Sequence, residues 1–514
     1  MAHLYAYGTI LSLSTLLLWI RSRRNRRYDS LPPSPKADPL IGNLRTLMKV
    51  VDEPRTYRDW GMGLGSDIIS ITLPGKVIIV LNSQEAVEEI FARRALIYSD
   101  RPFVPMISNE NLMGWGNLTR MLRYGERWRF QRKLTDEALH KNASKAMWPL
   151  VERQTHLILH RLLANPGQFS EEIKRVSGAT VLMSVYGYDA ASVDDNLFNI
   201  VETAVRSVSE ALVVQNFLVN TFPWLEYVPE WFPGAMWKAK ANEWRRQRDL
   251  MLHIPFEWTK SKMSTVTATT SMLSSWLTKY TYMHPADSDL SIAELEDRIR
   301  WASSTIFFAA TDTTVSSIRT FIMAMAMHLD IQTKAQAEID SVIGTRLPEL
   351  ADQGSLKYVQ CIVKEVLRWR LIKPLAAPHA CIQDDTYKGY HIPKGALVVG
   401  NTWAISNNPD VYPDPDCFKP DRFLDSSVPE APAFGFGRRI CPGAHHAKSV
   451  LFIIAASILS MFEIRPEADE NGKPIPLSAE QKMNGAVWEL LPFKCKITPR
   501  SEAHERIIKE SVSI

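Results

Sequence analysis

The sequence predicts a mainly α protein with small β-sheets: one large domain behind an N-terminal membrane anchor. Three observations predict it. Residues 291–329 contain no Gly or Pro and are apolar on nearly every face in their middle, as in a helix that runs through a core. β-rich runs are few and short, the clearest being DIISITL (67–73) and KVIIVL (76–81). LYAYGTILSLSTLLLWI, residues 4–20, holds no charge.

The apolar run at 4–20 is 17 residues long, slightly short of the ~20 that span a typical bilayer. A thin membrane such as the endoplasmic reticulum suits it. RSRRNRR follows at once, and by the positive-inside rule the C-terminal side then faces the cytosol. A cleaved signal peptide would need a basic stretch before the run and a small-residue cleavage site after it, and neither occurs. The expected organisation is an anchor with its basic flank at 1–30, a proline-rich hinge at 31–43, a catalytic domain at 44–500 and a charged tail at 501–514. The hinge, LPPSPKADPLIGN, carries four prolines, which stiffen a spacer. With the body in the cytosol, the sequons at Asn117 and Asn142 are expected to stay unmodified.

Within the body, Pro74-Gly75 marks a hairpin between the two β-rich runs. Asn82 opens NSQEAVEEIFARR with Glu85 three residues on, a capping-box-like helix start. From there to about residue 370 the pattern is mostly helical. Residues 371–425 turn Pro-rich and strand-like, and GAHHAKSVLFIIAASILSMF (443–462) reads as a second buried helix. There is no internal repeat. GMGLGS (61–66) precedes a strand instead of following one, which removes it as a dinucleotide fingerprint. His445-His446 are adjacent, cannot face one metal from a helix, and read as a surface or interface pair.

The formal net charge is +4 over 514 residues. Arg21, Arg23, Arg24, Arg26 and Arg27 against Asp29 account for all of it, so the body is balanced and nothing argues for nucleic acid. The five cysteines are Cys361, Cys381, Cys417, Cys441 and Cys495. An odd count with no C-x-x-C fits a reduced compartment, not a disulfide scaffold.

Four constellations carry chemistry. The first is FGFGRRICPG (434–443), in which Phe434, Gly437, Arg439, Cys441 and Gly443 form F-x-x-G-x-R-x-C-x-G. A lone thiolate can serve as axial ligand to haem iron. Glycines let backbone approach the porphyrin and aim N–H groups at the sulfur. An arginine can meet a haem propionate, and Phe434 can wall the sulfur from water. The alternative is a buried cysteine in a glycine-rich turn. The second is AATDTT (309–314), an acid and alcohols mid-way along the most apolar helix, where they are costly to bury. Such groups can bond to dioxygen and relay protons, or merely bond back to the helix and bend it. The third is Glu365 and Arg368, at i, i+3 on one face of an apolar helix, with Arg422 as a third member of a buried network. The fourth is Trp128 and Arg132, at i, i+4, which present an indole N–H and a guanidinium to an anion or else belong to a solvated basic helix.

Together these motifs resemble the cytochrome P-450 superfamily of haem-thiolate monooxygenases, in its order and over essentially the whole chain. The resemblance implies haem b (iron protoporphyrin IX) on Cys441, with Asp312 and Thr313 as the acid–alcohol pair of the oxygen groove. It implies Glu365, Arg368 and Arg422 as the buried triad, and Trp128, Arg132 and Arg439 as holders of the propionates. The segment 374–395 is similar to that of fungal members, where His379 would be a further propionate partner. Two departures stand out: Ala310 where many relatives carry glycine, and Asp421 in place of the commoner glutamate. The closest likeness is to microsomal fungal enzymes of specialised metabolism.

The resemblance implies insertion of one oxygen atom from O2 into a lipophilic small molecule. Electrons would come from NADPH through a flavoprotein reductase in the same membrane, since the chain has no flavin or nicotinamide site of its own. Arg123, Arg127, Lys133, Arg438 and Lys448 are expected to form its docking patch. Expected pocket walls are Phe307, Phe308, Ala309, Leu375, Ala376, Val487 and Trp488, with 226–237 as a lid against the bilayer. Three rivals stand: phenol coupling, dehydration or isomerisation on the same fold, a haem sensor or carrier without turnover, and a structural membrane-bound module without haem.

Overall fold

The computed structural model describes residues 31–189, 196–212, 216–265, 267–283, 290–484 and 487–511. The expected anchor at 4–20 lies outside them. The chain divides into two compact units.

The smaller unit comprises the chain up to residue 102 together with 375–405 and 436–439. Helix α1 (Glu53–Gly63) starts at Asp52, whose carboxylate accepts the Arg55 N–H. It precedes strands β1 (Ile68–Leu73) and β2 (Lys76–Leu81). These form the expected hairpin, Leu73 opposite Lys76, with Gly75 of its turn at φ +74°. Strands β3 (His379–Ala380), β4 (Asp385–Tyr387), β5 (Tyr390–Ile392) and β6 (Leu397–Gly400) follow. The main sheet runs β1-β2-β6-β3. β6 adds parallel to β2, and β3 returns antiparallel with His379 opposite Val398. Ile68, Ile79, Phe91, Val398 and Phe436 share its core.

One local reading shifts. The helix after β2 is capped by Ser83, whose hydroxyl accepts the Ala86 N–H, not by Asn82. Asn82 instead donates to the Tyr57 carbonyl and accepts from Asn401. Its side chain serves long-range contacts, so the shorter neighbour takes the cap.

The larger unit comprises 103–374, 406–435 and the chain from 440 onward. Its helices are α2 (Glu126–Leu139), α3 (Trp148–Ala164), α4 (Phe169–Tyr186), α5 (Asn196–Leu212) and α6 (Met236–Ser264). The longest, α7 (Ile292–Met327), has 36 residues and starts at Ser291, whose hydroxyl accepts the Glu294 N–H. α8 (Leu329–Val342), α9 (Lys357–Trp369), α10 (Ala444–Met461) and α11 (Glu502–Glu510) complete the set. Two antiparallel pairs flank them: β7 (Phe462–Pro466) with β10 (Cys495–Pro499), and β8 (Gln481–Asn484) with β9 (Val487–Leu490).

α7 packs against α2, α4, α9 and α10. Its C-terminal half enters one apolar cluster with α10, including Phe321, Phe452 and Ile458. Its N-terminal half enters another around Trp115, Phe256 and Phe307. The apolar run of α10 is therefore core, as expected from its sequence. The expected tail holds helix α11, with Ile508 buried.

Candidate active site

The cysteine loop is built by glycine conformations and one cross-loop bond. Gly435 and Gly437 take φ +83° and +56°, a region closed to most side chains. A Cβ on Gly437 would sit 1.9 Å from the Phe91 carbonyl oxygen. The Cys441 N–H donates to the Phe434 carbonyl oxygen at 2.9 Å. Gly443 is the N-cap of α10, and its N–H points at the Cys441 sulfur. Burial pushes the thiol up, while that N–H, Arg132 and Lys373 favour the thiolate. Cys441 is exposed by surface area yet enclosed by protein, which together describe a sulfur at the wall of an internal opening.

α7 shows the same signature. Ala309 is exposed although it lies between the buried Phe308 and Thr311 in a helix buried on most sides. Thr313, one turn on, donates its hydroxyl to the Ala309 carbonyl at 2.8 Å. Thr305, Thr311, Ser317 and Thr320 bond back to their i−4 carbonyls in the same way, yet the helix continues through all of them. Asp312 is half-buried and accepts no hydrogen bond from a described residue. Burial raises its carboxyl above the ordinary range; Glu489 and Glu202 add to this, and Lys174 opposes.

The structure assembles the buried triad. Arg368 donates to both carboxylate oxygens of Glu365 at 2.8 Å, and both side chains have 0% exposure. Its other bonds reach the Ser406 and Cys417 carbonyls. Arg422 approaches Glu365 at 3.3 Å, and the Lys419 N–H donates to it at 2.8 Å. Every strong donor and acceptor here has a partner, which is the condition under which a buried ion pair is tolerated. Asp421 lies outside the triad, bonded to Tyr358 and ion-paired with Lys334.

Trp128 is buried on α2, and Arg132, one turn on, donates to the Ile440 carbonyl beside Cys441. In the smaller unit, Arg439 donates its Nε to the Ser99 carbonyl at 2.8 Å. His379 places Nδ1 2.6 Å from the Tyr98 carbonyl oxygen, so Nδ1 carries the proton. Burial, then Arg101, then Arg439 hold the ring's pKa well below the usual value, against that bond. Its Nε2 is then a lone pair, and His379 would donate to a propionate only if the negative charge nearby raised the ring's pKa enough for it to take up a proton from solvent. Arg101 was not singled out from the sequence. It is buried and donates to the Ala377 and Pro378 carbonyls, against the segment that carries His379. The only sequence signal was a cation set among apolar residues and prolines.

Other expectations change. Phe307 and Phe308 are core: the first packs on Tyr186, the second on Trp115. Only Ala309 of that trio presents accessible surface. Val487 is buried, while Trp488, Leu375 and Ala376 are half-buried. Of the paired histidines, His445 is exposed and His446 half-buried; burial lowers the His446 pKa to about 4.

These features fit a haem. Among the described residues no three His, Cys, Asp or Glu side chains gather as a metal site. A porphyrin supplies the iron's other equatorial ligands itself, so a single thiolate is what a haem asks of this loop. The sulfur has the N–H donor and nearby cations that an axial thiolate needs.

Comparison with known proteins agrees. The sequence pattern of the family described as "Cytochrome P450" matches residues 32–490. A cytochrome P450 monooxygenase of Armillaria gallica is 38% identical over 510 residues, covering 96% of this chain and 97% of that protein. Cytochrome P450 monooxygenase claR of Ampulloclitocybe clavipes is 35% identical, covering 98% and 92%. A zebrafish cytochrome P450 solved with progesterone shares the fold, with a TM-score of 0.72 at 22% identity, over 88% of this chain and 100% of that one. The thiolate loop, the Glu365–Arg368–Arg422 triad and these matches place the chain in the cytochrome P450 family, as an oxidoreductase among its monooxygenases.

Proposed function

We propose that this enzyme inserts one oxygen atom from O2 into a lipophilic small molecule of fungal specialised metabolism. The observation that carries the reading is the acid–alcohol pair beside Ala309, an exposed residue in the otherwise buried or half-buried middle of α7. Cys441 would bind the iron, and the family resemblance assigns the propionates to Trp128, Arg132 and Arg439, with His379 as a further partner. The bound haem supplies the oxygen-activating chemistry.

The chain's own residues then act on protons, charge and water. The Gly443 N–H withdraws density from the Cys441 sulfur and tunes its donation. The raised carboxyl of Asp312 retains a proton further towards neutrality than an ordinary aspartate, so it can deliver one. The Thr313 hydroxyl proton is committed to the Ala309 carbonyl, which leaves its oxygen as an acceptor. It can pass a proton on after receiving one from Asp312 or water.

Electrons come, on this reading, from NADPH through a flavoprotein reductase. Of the proposed docking residues, Arg123, Lys133 and Arg438 are exposed, each within its own unit. Arg127 is instead ion-paired with Asp297 at 2.6 Å, and Lys448 with Glu430. The proposed location is the endoplasmic reticulum membrane, through the 4–20 segment, with the body in the cytosol. Trp224, Tyr227, Trp231 and Met236 expose 63–83% of their surface, which supports contact of the 226–237 segment with a bilayer.

The test is turnover by full-length protein in microsomes with NADPH, reductase and candidate fungal metabolites under isotope-labelled dioxygen. The expected product is one labelled oxygen heavier. An unlabelled coupled, dehydrated or isomerised product would favour the same fold without oxygen insertion. Substrate binding without any NADPH consumption would favour a sensor or carrier.

A further inference from the structure

We propose that Arg120 binds a carboxylate of the substrate, so that the enzyme's substrate class is lipophilic acids. The inference rests on the reading of the Ala309 side of α7 as the substrate side.

Arg120 lies in the segment between Trp115 and α2. That segment is clamped to α7 just before Ala309. The Thr119 N–H donates to the Thr305 hydroxyl at 3.1 Å, and the Thr305 and Thr119 hydroxyls bond at 3.1 Å. Thr119 is further held by Gln131 at 2.8 Å. Trp115 packs on Trp301 and Phe308 of the same helix. Thr305 is one helical turn from the exposed Ala309, so the segment that carries Arg120 is anchored one turn from it.

The guanidinium is anomalous there. Arg120 is half-buried, and burial draws its pKa below the usual arginine range. Among the described residues no carboxylate, carbonyl or ring partners it. Its buried counterparts in the same unit are all paired: Arg298 with Glu126 and Glu294, Arg248 with Asp249 and Glu110, Arg368 with Glu365. A cation withdrawn from water without a counter-charge is destabilising. It is retained where an incoming anion completes it, and a planar carboxylate can do so with two parallel hydrogen bonds. Its chain neighbours Trp115 and Leu118 are buried in an apolar cluster with α7 residues, and Met121 packs against it, so the rest of the ligand is expected to be apolar too.

The experiment uses full-length holoenzyme and paired probes: lauric, palmitic and oleic acids, an indole carboxylic acid and a tricyclic diterpene acid, each with its methyl ester. The readout is the substrate-induced spin-state shift in the absorbance spectrum, titrated at neutral pH. At least one acid should bind more tightly than its ester. Arg120→Leu should weaken that acid about 10- to 100-fold and leave the ester unchanged, with Arg120→Lys intermediate. If Arg120→Leu does not fold, Arg120→Gln replaces it, and the acid–ester preference is read on the native protein in any case. The proposal is overturned if no acid outbinds its ester, or if the variant weakens acid and ester equally. It is also overturned if the variant lowers the haem-to-protein ratio, which would assign the guanidinium to a haem propionate. A normal thiolate spectrum and turnover of neutral substrates alongside any of these would leave the monooxygenase reading intact.

Discussion

At the scale of single residues, the site is defined by groups held in states that water would not favour. Asp312 is the clearest. Its carboxyl is raised by burial and by Glu489, so the folded chain binds a proton over a pH range in which the unfolded chain has lost it. Stability therefore falls as pH rises from the ordinary aspartate value through the raised one. Asp312→Asn should melt at a higher temperature than the native enzyme at neutral pH, and the difference should vanish in acid below the ordinary value. The same variant should lose about 10²-fold or more in product formation while dioxygen is still consumed. Equal melting profiles at all pH values would contradict the assignment. Gly437 supplies a steric counterpart: Gly437→Ala places a Cβ against the Phe91 carbonyl at a positive φ. It should cost at least ~1–3 kcal/mol, read as a lower melting temperature and reduced haem content.

The element scale explains what could and could not be read from the chain. The β1–β2 hairpin was legible because Pro74-Gly75 and the β-branched runs are local signals. The α9 pair was legible because i, i+3 spacing puts Glu365 and Arg368 on one face. The Ser83 cap was not, because the choice between Ser83 and Asn82 depends on Tyr57 and Asn401, distant in sequence. Nor was the burial of Phe307 and Phe308, since a helix apolar on nearly every face does not reveal which residue meets the opening. Arg120 and Arg101 were missed for the same reason: what distinguishes them is the presence or absence of distant partners. Glu365→Ala would leave Arg368 with no exposure and no counter-charge. Its expected cost is ~3–5 kcal/mol, seen as loss of soluble folded protein and of haem, whereas Ala substitution of the exposed pair Arg246–Glu243 should change stability by less than ~1 kcal/mol.

For the whole molecule, a body of balanced charge and a strongly basic N-terminal flank separate the chemistry from its placement. The proposed anchor should be dispensable for folding but not for location. Removal of residues 1–30 should move the protein from the microsomal pellet toward the soluble fraction. A residual membrane-bound share should depend on Trp224, Tyr227 and Trp231. Pelleting unchanged by the truncation and by polar replacement of those aromatics would contradict the membrane reading.

The central claim is a bond between the Cys441 sulfur and haem iron. It is tested most directly by the carbon monoxide difference spectrum of the reduced enzyme, recorded for the native protein and Cys441→Ala. The native protein should show the red-shifted band of a thiolate-ligated haem, and the variant should lack it. The same band in both proteins would contradict the assignment.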